Sequence, residues 1–203
     1  MAKRCIGLGI KEMERIERKS LITYLSRSVP GVTVVTAHYN NVLIVEVISS
    51  EIRNVLSFFK RNQQLRFDCL LDVWAVDYVG NSQRFEVNYL LLSVTNQIRL
   101  IVRTRVDEFS GVQSITSLFK SSGWLEREVW DMYGILFFEN ADLRRILTDY
   151  GFEGHPLRKD FPLSGFSEVR YDDGDKRIVY EPLEVSQEYR SFFFKNPWIN
   201  KHE

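Results

Sequence analysis

Two stretches near the middle of the chain alternate between apolar and polar residues, and this alternation constrains the fold more than any other feature of the sequence. Successive side chains of a β-strand point to opposite faces of a sheet, so each stretch predicts a strand with one buried face. With a third strand predicted at 69–78, the three form an antiparallel meander. The apolar positions are Phe85, Val87, Tyr89 and Leu91 in the first stretch and Ile98, Leu100 and Val102 in the second.

The segments before the meander complete a layer pattern. Apolar residues at helical spacing predict helices at about 9–27 and 50–62. Val32–Thr36 and Val42–Ile48 have the composition of strands. The order α-β-β-α-β-β-β is typical of an α+β fold, in which a small and mainly antiparallel sheet has its helices packed on one side. We assign this predicted domain to residues 1–122.

Residues 123–148 form a second predicted segment, which begins with a short helix at about 123–133. Ser122 is the expected N-cap, and Gly134 is expected to end the helix. Within this helix, Glu126 falls at the edge of the apolar face. A carboxylate in that position needs either a cationic partner or a raised pKa.

Glu126 therefore has two interpretations. The first is a general acid or base. The second is a buried salt bridge to an arginine, and it is favoured because neither a nucleophile nor a histidine accompanies Glu126 in the helix. The candidate arginines are Arg144, Arg145 and Arg158. Arg127 and Asp131 lie on the opposite side of the helix at a spacing that suits an ion pair between them.

The segment 149–203 combines two conflicting features. Its glycines and prolines oppose long regular elements, yet it carries many phenylalanines and tyrosines that a solvated linker would not have. Two alternatives stay open: an arm that wraps around a partner, and a segment that packs on the chain's own domain. Basic side chains are in excess before residue 123 and acidic ones after it, so the two parts are expected to meet different surfaces.

Composition argues against several function classes. The chain has 2 cysteines, Cys5 and Cys69, far apart and without CxxC spacing. Because an iron–sulfur cluster takes about four ligands, mostly cysteine, this chain is not expected to hold one. Its histidines are isolated, which disfavours a metal site. The net charge of +0 shows no global basic bias of the kind that nucleic-acid binders have. No apolar run approaches the roughly 20 residues that span a bilayer.

A set of residues beginning at Glu126 carries a resemblance to a known family. The set comprises Glu126, Arg127, Glu128, Asp131, Met132, Tyr133, Arg144, Ile146 and Leu147. It resembles the signature of the 30-kDa subunit of respiratory complex I, which is NADH dehydrogenase subunit 9 in mitochondria and the subunit designated C in bacteria. The stretch 143–163 is similar to that family nearly residue for residue, and so is 168–173. The likeness is strong over about 65–198, and it resembles the mitochondrial branch.

The resemblance implies a function and a location. It implies a structural core subunit in the peripheral arm of a proton-pumping NADH:ubiquinone oxidoreductase, an enzyme in which this chain is itself non-catalytic. The extended C-terminal arm, residues 149–203, would lie along the 49-kDa subunit beside the quinone-reducing module. FMN, iron–sulfur clusters and quinone would all be bound by other subunits. The expected site is the matrix side of the mitochondrial inner membrane, for an organelle-encoded chain, or the cytoplasmic face in a bacterium.

The resemblance also implies structural or interface roles for a set of charged residues, and no catalytic, cofactor-binding or metal-binding residue. The set is Glu126, Arg127, Glu128, Asp131, Asp142, Arg144, Arg145, Arg158, Lys159 and Asp160. One departure from the family stands out. The family usually has His-Pro before the Asp-Leu-Arg-Arg run, whereas this chain has Asn140-Ala141, so the histidine's role cannot be carried over.

Three alternatives stay open at this point. The chain could be a subunit of a membrane-bound hydrogenase or of another complex I-like enzyme. A co-purifying NADH-oxidising flavoprotein would indicate complex I instead. It could be a free-standing acid–base enzyme using Glu126 and Asp131, which the activity of the isolated chain would test. It could be a nucleic-acid-binding module using the basic N-terminal half, in which the row Arg99, Arg103 and Arg105 could touch nucleic acid. Steeply salt-dependent binding of an oligonucleotide would mark it.

Overall fold

The computed structural model describes residues 23–25, 28, 33–36, 43–187, 189, 190, 192 and 194. Its longer helices are α1 (Ile52–Arg61), which follows a 3-10 turn at Ser49–Glu51, and α2 (Ser122–Tyr133). Its strands are β1 (Thr33–Thr36), β2 (Leu43–Glu46), β3 (Cys69–Asp77), β4 (Phe85–Ser93), β5 (Ile98–Val106), β6 (Val112–Gln113), β7 (Phe137–Phe138), β8 (Ser167–Asp172) and β9 (Arg177–Pro182).

Within the described residues, five strands form the main sheet in the order β1-β2-β5-β4-β3. β3, β4 and β5 pair antiparallel, in a register that sets Tyr89 opposite both Val73 and Val102. The predicted meander is confirmed, with β3 ending one residue earlier than expected, at Asp77. β1 pairs antiparallel with β2, while β2 and β5 are parallel. The sheet is mainly antiparallel, and the α+β class is confirmed.

One face of this sheet and the apolar side of α1 form a single core. Tyr89 is fully buried on the sheet, and Leu56 and Phe59 are fully buried on the helix. The i, i+3, i+4, i+7 spacing that predicted a helix at 50–62 is the spacing of the buried residues of α1. Burying one such phenylalanine contributes about 1.5–3 kcal/mol.

The opposite face of the sheet carries a network of ion pairs. Arg103 bonds Glu46 at 3.1 Å and lies 3.6 Å from Glu86, and Arg105 lies 3.6 Å from both carboxylates. Two arginines of the basic row considered for nucleic-acid binding are therefore matched by carboxylates of neighbouring strands. This pairing lowers the free positive charge available to a phosphate backbone.

The first predicted helix, at 9–27, lies largely outside the described residues. Residues 23–25 are helical, and Leu25 is fully buried in the core. The hydroxyl of Tyr24 accepts a hydrogen bond from the side-chain amide of Asn62, at the end of α1. These contacts place the described piece of this helix against the same core as α1.

Helix α2 ends as the sequence predicts but begins differently. Gly134 adopts the left-handed conformation, with φ +77°, and its N–H donates to the carbonyl of Trp130. The N-cap prediction for Ser122 is wrong: Ser122 is the first helical residue, and its hydroxyl donates to the carbonyl of Phe119 at 2.8 Å. Ser121 precedes it without a capping hydrogen bond from its side chain.

The chain divides into two compact units, residues 1–161 and 162–203. In the second unit, β8 and β9 form an antiparallel hairpin that the sequence analysis did not predict, because its glycines and prolines masked the alternating pattern. Val169 and Tyr171 alternate with charged residues, and Asp172 accepts a hydrogen bond from the N–H of Gly174 in the turn. The boundaries proposed at residues 122 and 148 stay predictions.

Replacing Gly134 by alanine should destabilise the first unit. A non-glycine residue in the left-handed region costs about 1–2 kcal/mol, and the new Cβ would also lie 2.6 Å from Nη2 of Arg158 and from Nε2 of His155. Gly80 is the matched control, since it has φ +96° with nothing within 4 Å of an added Cβ. Urea unfolding should show a larger loss of free energy for Gly134→Ala than for Gly80→Ala; equal losses would contradict close packing at Gly134.

Candidate functional site

Glu126 of α2 is fully buried, and neutral groups hold its carboxylate. Oε2 accepts hydrogen bonds from Ser114 Oγ at 2.7 Å and from the side-chain amide of Asn140 at 2.8 Å. Oε1 accepts one from the backbone N–H of Ile115 at 2.9 Å. The predicted salt bridge from Glu126 to Arg144, Arg145 or Arg158 is therefore wrong.

The bonds to Glu126 join three separate parts of the chain. Ser114 and Ile115 follow the short strand β6, and Asn140 follows β7, which pairs with β6 in parallel. A buried carboxylate is costly unless donors satisfy its oxygens, so each of these segments is fixed to α2 by that requirement. Asn140, the residue that departs from the family's usual histidine, is one of the donors that meet it.

Asp131, also fully buried, is the second carboxylate of α2, and it accepts a denser set of hydrogen bonds. The backbone N–H groups of Ile146, Leu147 and Thr148 donate to Oδ2 at 3.2, 2.9 and 2.9 Å. Thr148 Oγ1 and Arg145 Nη1 donate to Oδ1 at 2.5 and 2.8 Å. Three consecutive amides on one oxygen fix the path of the loop 145–148 along the helix.

The protonation of Asp131 follows from these contacts. Burial alone would raise the pKa of its carboxyl group. The hydrogen bonds from Thr148, Leu147 and Arg145 more than offset burial and hold this pKa well below its usual range. The carboxylate is therefore charged at neutral pH, and its charge is balanced by Arg145 at 2.8 Å.

Arg127 does not pair with Asp131, so that prediction is also wrong. Its Nε donates to the carbonyl of Arg144 at 3.0 Å, and its Nη2 donates to the carbonyl of Arg145 at 2.9 Å. The loop beyond residue 143 is thus held at two successive carbonyls by Arg127 and at three successive amides by Asp131. Asp131 has Arg145 as its partner instead.

The segment 155–160 is fixed at the C-terminal end of α2. Arg158 Nε donates to the carbonyl of Tyr133 at 2.6 Å, and Arg158 Nη1 bonds Glu108 at 2.5 Å. The N–H of Leu157 donates to the carbonyl of Met132 at 3.1 Å. His155 Nδ1 lies 3.0 Å from the carbonyl of Asp131. Burial lowers the pKa of His155, and the nearby arginines act in the same direction.

Asp160 and Lys159 contact the β3–β4 hairpin. Arg84 bonds the buried Asp77 through two nitrogens, at 2.8 Å each, and Asp160 at 3.0 Å. The N–H of Lys159 donates to Asp77 at 2.9 Å. The hydrogen bond from Arg84 is the largest cause of the lowered pKa of Asp77. The guanidinium groups of Arg84 and Arg158 lie 5.1 and 5.2 Å from the ring centre of Phe85, within cation–π range.

The structure therefore brings together most of the charged residues singled out by sequence, around one helix. Asp142 and Arg144 form an exposed pair at 2.9 Å, and Glu128 is exposed on α2. Sequence reasoning assigned no role to several partners of these residues. These are Asp77, Arg84, Glu108, Ser114 and Thr148. Their side chains meet the signature residues only through tertiary packing, so no local spacing marks them.

The arrangement suits anchoring better than proton transfer. Neither Glu126 nor Asp131 reaches solvent, and both are held by several donors from their own chain. A general acid or base must lie within hydrogen-bond reach of a substrate, which neither buried carboxylate offers in this structure. Among the described residues there is no group of three His, Cys, Asp or Glu side chains that could hold a metal ion. In that same part of the chain no helix is long and apolar enough to cross a membrane.

Comparisons with known proteins point in one direction. The sequence model of the family described as "Respiratory-chain NADH dehydrogenase, 30 Kd subunit" matches residues 45–167. The NADH-quinone oxidoreductase subunit designated C in Paramagnetospirillum magneticum is 53% identical over 156 residues, covering 77% of this chain and 78% of that protein. NADH-ubiquinone oxidoreductase subunit 9 of Reclinomonas americana is 51% identical over 156 residues, with coverages of 77% and 76%.

A further relative by sequence has a name of the same kind, and one solved structure has a similar fold. NADH dehydrogenase (ubiquinone) iron-sulfur protein 3 of Solanum tuberosum is 56% identical over 149 residues, covering 73% of this chain and 78% of that protein. A chain in the structure of a membrane-bound sulfane sulfur reductase, an archaeal respiratory membrane complex, is similar with a TM-score of 0.62. It is 23% identical and covers 72% of this chain and 86% of that one, which supports the fold alone.

Replacing Asp131 by asparagine should cost about 3–5 kcal/mol at neutral pH, since it leaves Arg145 and the loop amides without their charged acceptor. The folded-state pKa of Asp131 is depressed, so its contribution is complete above the unfolded pKa of about 3.9 and is lost as pH falls through the folded value. Urea unfolding of the wild type and of Asp131→Asn between pH 7 and 3 measures this loss. The difference between their free energies of unfolding should shrink below about pH 5.

Asp173, which pairs with Lys176 on an exposed turn, supplies the control. Asp173→Asn should change the free energy of unfolding by less than about 1 kcal/mol. A pH-independent difference between wild type and Asp131→Asn would contradict the assignment of a charged, stabilising carboxylate.

Proposed function

The chain belongs to the family of the respiratory-chain NADH dehydrogenase 30-kDa subunit, and from this premise we propose that it is a structural core subunit of the peripheral arm of a proton-pumping NADH:ubiquinone oxidoreductase. There it braces the quinone-reducing module and aids assembly. The observation that carries this proposal is the use of both buried carboxylates of α2: each is occupied in holding loops of its own chain, and neither is presented to a substrate.

In this proposal the chain holds no redox centre, and FMN, iron–sulfur clusters and quinone are bound by other subunits. One relative carries "iron-sulfur protein" in its name. The donors of this chain do not fit a cluster, which takes about four ligands, mostly cysteine. The sequence has 2 cysteines, of which Cys69 is half-buried at the start of β3 and Cys5 lies outside the described residues.

The proposed partners are the 49-kDa subunit and its neighbours in the quinone module. The β8–β9 hairpin supports a partner for the second unit, because its two faces differ. Val169 is opposite Tyr180 and Tyr171 is opposite Ile178 on one face, and all four side chains are exposed. The other face carries the Arg170–Glu181 pair at 2.7 Å. A two-stranded hairpin is marginal alone in water, so an apolar face of this kind needs a surface to cover it.

The proposed location is the matrix side of the mitochondrial inner membrane, where the chain is peripheral and organelle-encoded. The relatives include mitochondrial and bacterial proteins named as subunits of NADH oxidoreductases. The experiment that tests the proposal is purification of the tagged chain from its source. Co-purification with an NADH-oxidising flavoprotein and quinone reductase activity supports it, whereas a hydrogenase, or a monomeric chain, would contradict it.

Glu126→Ala or Arg145→Ala should lower the amount of assembled enzyme more than the turnover of the enzyme that does assemble. Glu126→Ala leaves the buried donors of Ser114 and Ile115 without an acceptor, at about 1–3 kcal/mol each, and also removes the acceptor of the half-buried Asn140. Arg145→Ala leaves the buried Asp131 without its cation, at about 3–5 kcal/mol. Native gels and NADH:quinone activity per assembled complex measure the two quantities. The exposed Glu153 serves as the control, as Glu153→Ala. Normal assembly with slow turnover would assign Glu126 a chemical role instead.

The predicted arm, 149–203, should become protected when the enzyme assembles. Its part beyond residue 161 should be cut readily by protease in the isolated chain, while residues 69–106 resist because they lie in the main sheet. Tyr171→Ser with Ile178→Ser removes an apolar pair from the exposed face and should restore cleavage in the assembled enzyme. Glu168→Ser, on the opposite face, should not. Full protection of the isolated chain would show that the arm packs on its own domain.

A further inference from the structure

Arg127 of α2 is a buried cation whose charge no carboxylate matches within the part of the chain that the structure describes. It is 8% exposed, and its guanidinium donates to the carbonyls of Arg144 and Arg145. Among the described residues no carboxylate lies within 4 Å of it, and Nη1 has no acceptor. The exposed fraction of Arg127 is small, so its guanidinium is largely desolvated.

The neighbouring charges do not neutralise it. Asp131 is paired with Arg145 at 2.8 Å, and Asp142 is paired with Arg144 at 2.9 Å. Glu128 is exposed beside Arg127 on the helix and forms no ion pair with any described residue. Buried charges are seldom left without an opposite charge, because desolvation removes the stabilisation that water gives. Among the residues that the structure describes, the Nη1 edge of this largely desolvated guanidinium is thus left without an acceptor.

Large exposed side chains lie on the same side of α2 as Arg127 and on the loop that Arg127 holds. Trp124 precedes Arg127 by one helical turn, on the same side of α2, and is 71% exposed. The loop that Arg127 and Asp131 hold against this side carries Leu147, 63% exposed, and Tyr150, 80% exposed. Tryptophan, tyrosine and arginine are the residues that contribute most to protein–protein binding when a partner covers them. We call these four residues the Arg127 surface.

We propose that the Arg127 surface binds a segment of another subunit that carries an aspartate or glutamate next to an apolar residue. The carboxylate accepts hydrogen bonds from Nη1 and neutralises the charge of Arg127, and the apolar residue packs on Trp124. Charge complementarity selects this occupant, because an arginine already fixed by two carbonyls is pre-organised for a carboxylate. The inference rests on the proposed role as a subunit, and it adds a contact in the first unit to the one expected for the arm.

The test uses the assembled enzyme purified through a tag on another subunit. Trp124→benzoylphenylalanine, a photo-crosslinking residue, should yield a crosslink to one partner peptide that contains Asp or Glu. Trp124→Ala should lower the amount of this chain retained in the complex about tenfold. Arg127→Met should lower the retained amount similarly. It should also make retention of the chain less sensitive to raised salt. Arg61→Met, at the exposed end of α1, is the control and should change neither quantity.

Arg127 also supports the loop, so Arg127→Met can unfold the chain locally. Trp124→Ala separates the two roles because Trp124 is exposed, and the melting temperature of the isolated variant should equal that of wild type. Normal retention of Trp124→Ala, absence of a crosslink, or a crosslink to lipid, nucleic acid or a second copy of this chain would overturn the inference. In each of these cases a chain that still co-purifies with the enzyme leaves the proposed function intact. Failure of the wild-type chain to co-purify would instead contradict the proposed function.

Discussion

The hydrogen bonds from three successive backbone amides to the carboxylate of Asp131 are the interaction on which the last part of the first unit depends. Beyond residue 139 this unit has no described helix or strand, so no ladder of hydrogen bonds fixes its path. Asp131 helps to fix that path by accepting hydrogen bonds from the backbone N–H groups of Ile146, Leu147 and Thr148. Arg145, held by the same carboxylate, then donates to the carbonyl of Gly154 at 3.1 Å. An irregular segment is thereby held in one conformation by a buried carboxylate together with Arg127, which donates to the carbonyls of Arg144 and Arg145.

Glu126 and Asp131 join the same short helix to two different segments of the chain. Glu126 is held by neutral donors and joins α2 to the β6–β7 pair. Asp131 is held by a cation and by amides, and it joins α2 to the loop that follows residue 143. Because both carboxylates point into their own chain, the outward side of α2 is left to Trp124, Glu128 and the open edge of Arg127. The inner side of α2 is thus fixed by buried charge, and its outer side carries exposed residues.

Sequence reasoning was most successful where one periodicity decides the structure. The alternation at Phe85–Leu91 predicted β4, and the spacing of buried residues predicted α1, since burial on one face leaves few alternatives. It was least successful for hydrogen-bond partners. Glu126 was expected to form a salt bridge with an arginine, but its carboxylate accepts hydrogen bonds from Ser114 and Asn140 instead. Their positions depend on the parallel pairing of two-residue strands, which carry too little pattern to be recognised. The β8–β9 hairpin was missed because its glycines and prolines suggested irregular backbone.

The central claim is that Asp131 fixes the backbone amides of the loop 145–148, and native-state hydrogen exchange tests it at single amides. In the wild-type chain the amides of Ile146, Leu147 and Thr148 should exchange slowly, although no strand or helix contains them. In Asp131→Asn these three should exchange rapidly, while those of Tyr89 and Val102 in the main sheet keep their protection. Slow exchange of the loop amides in the variant, or equal loss of protection in the sheet, would contradict the account.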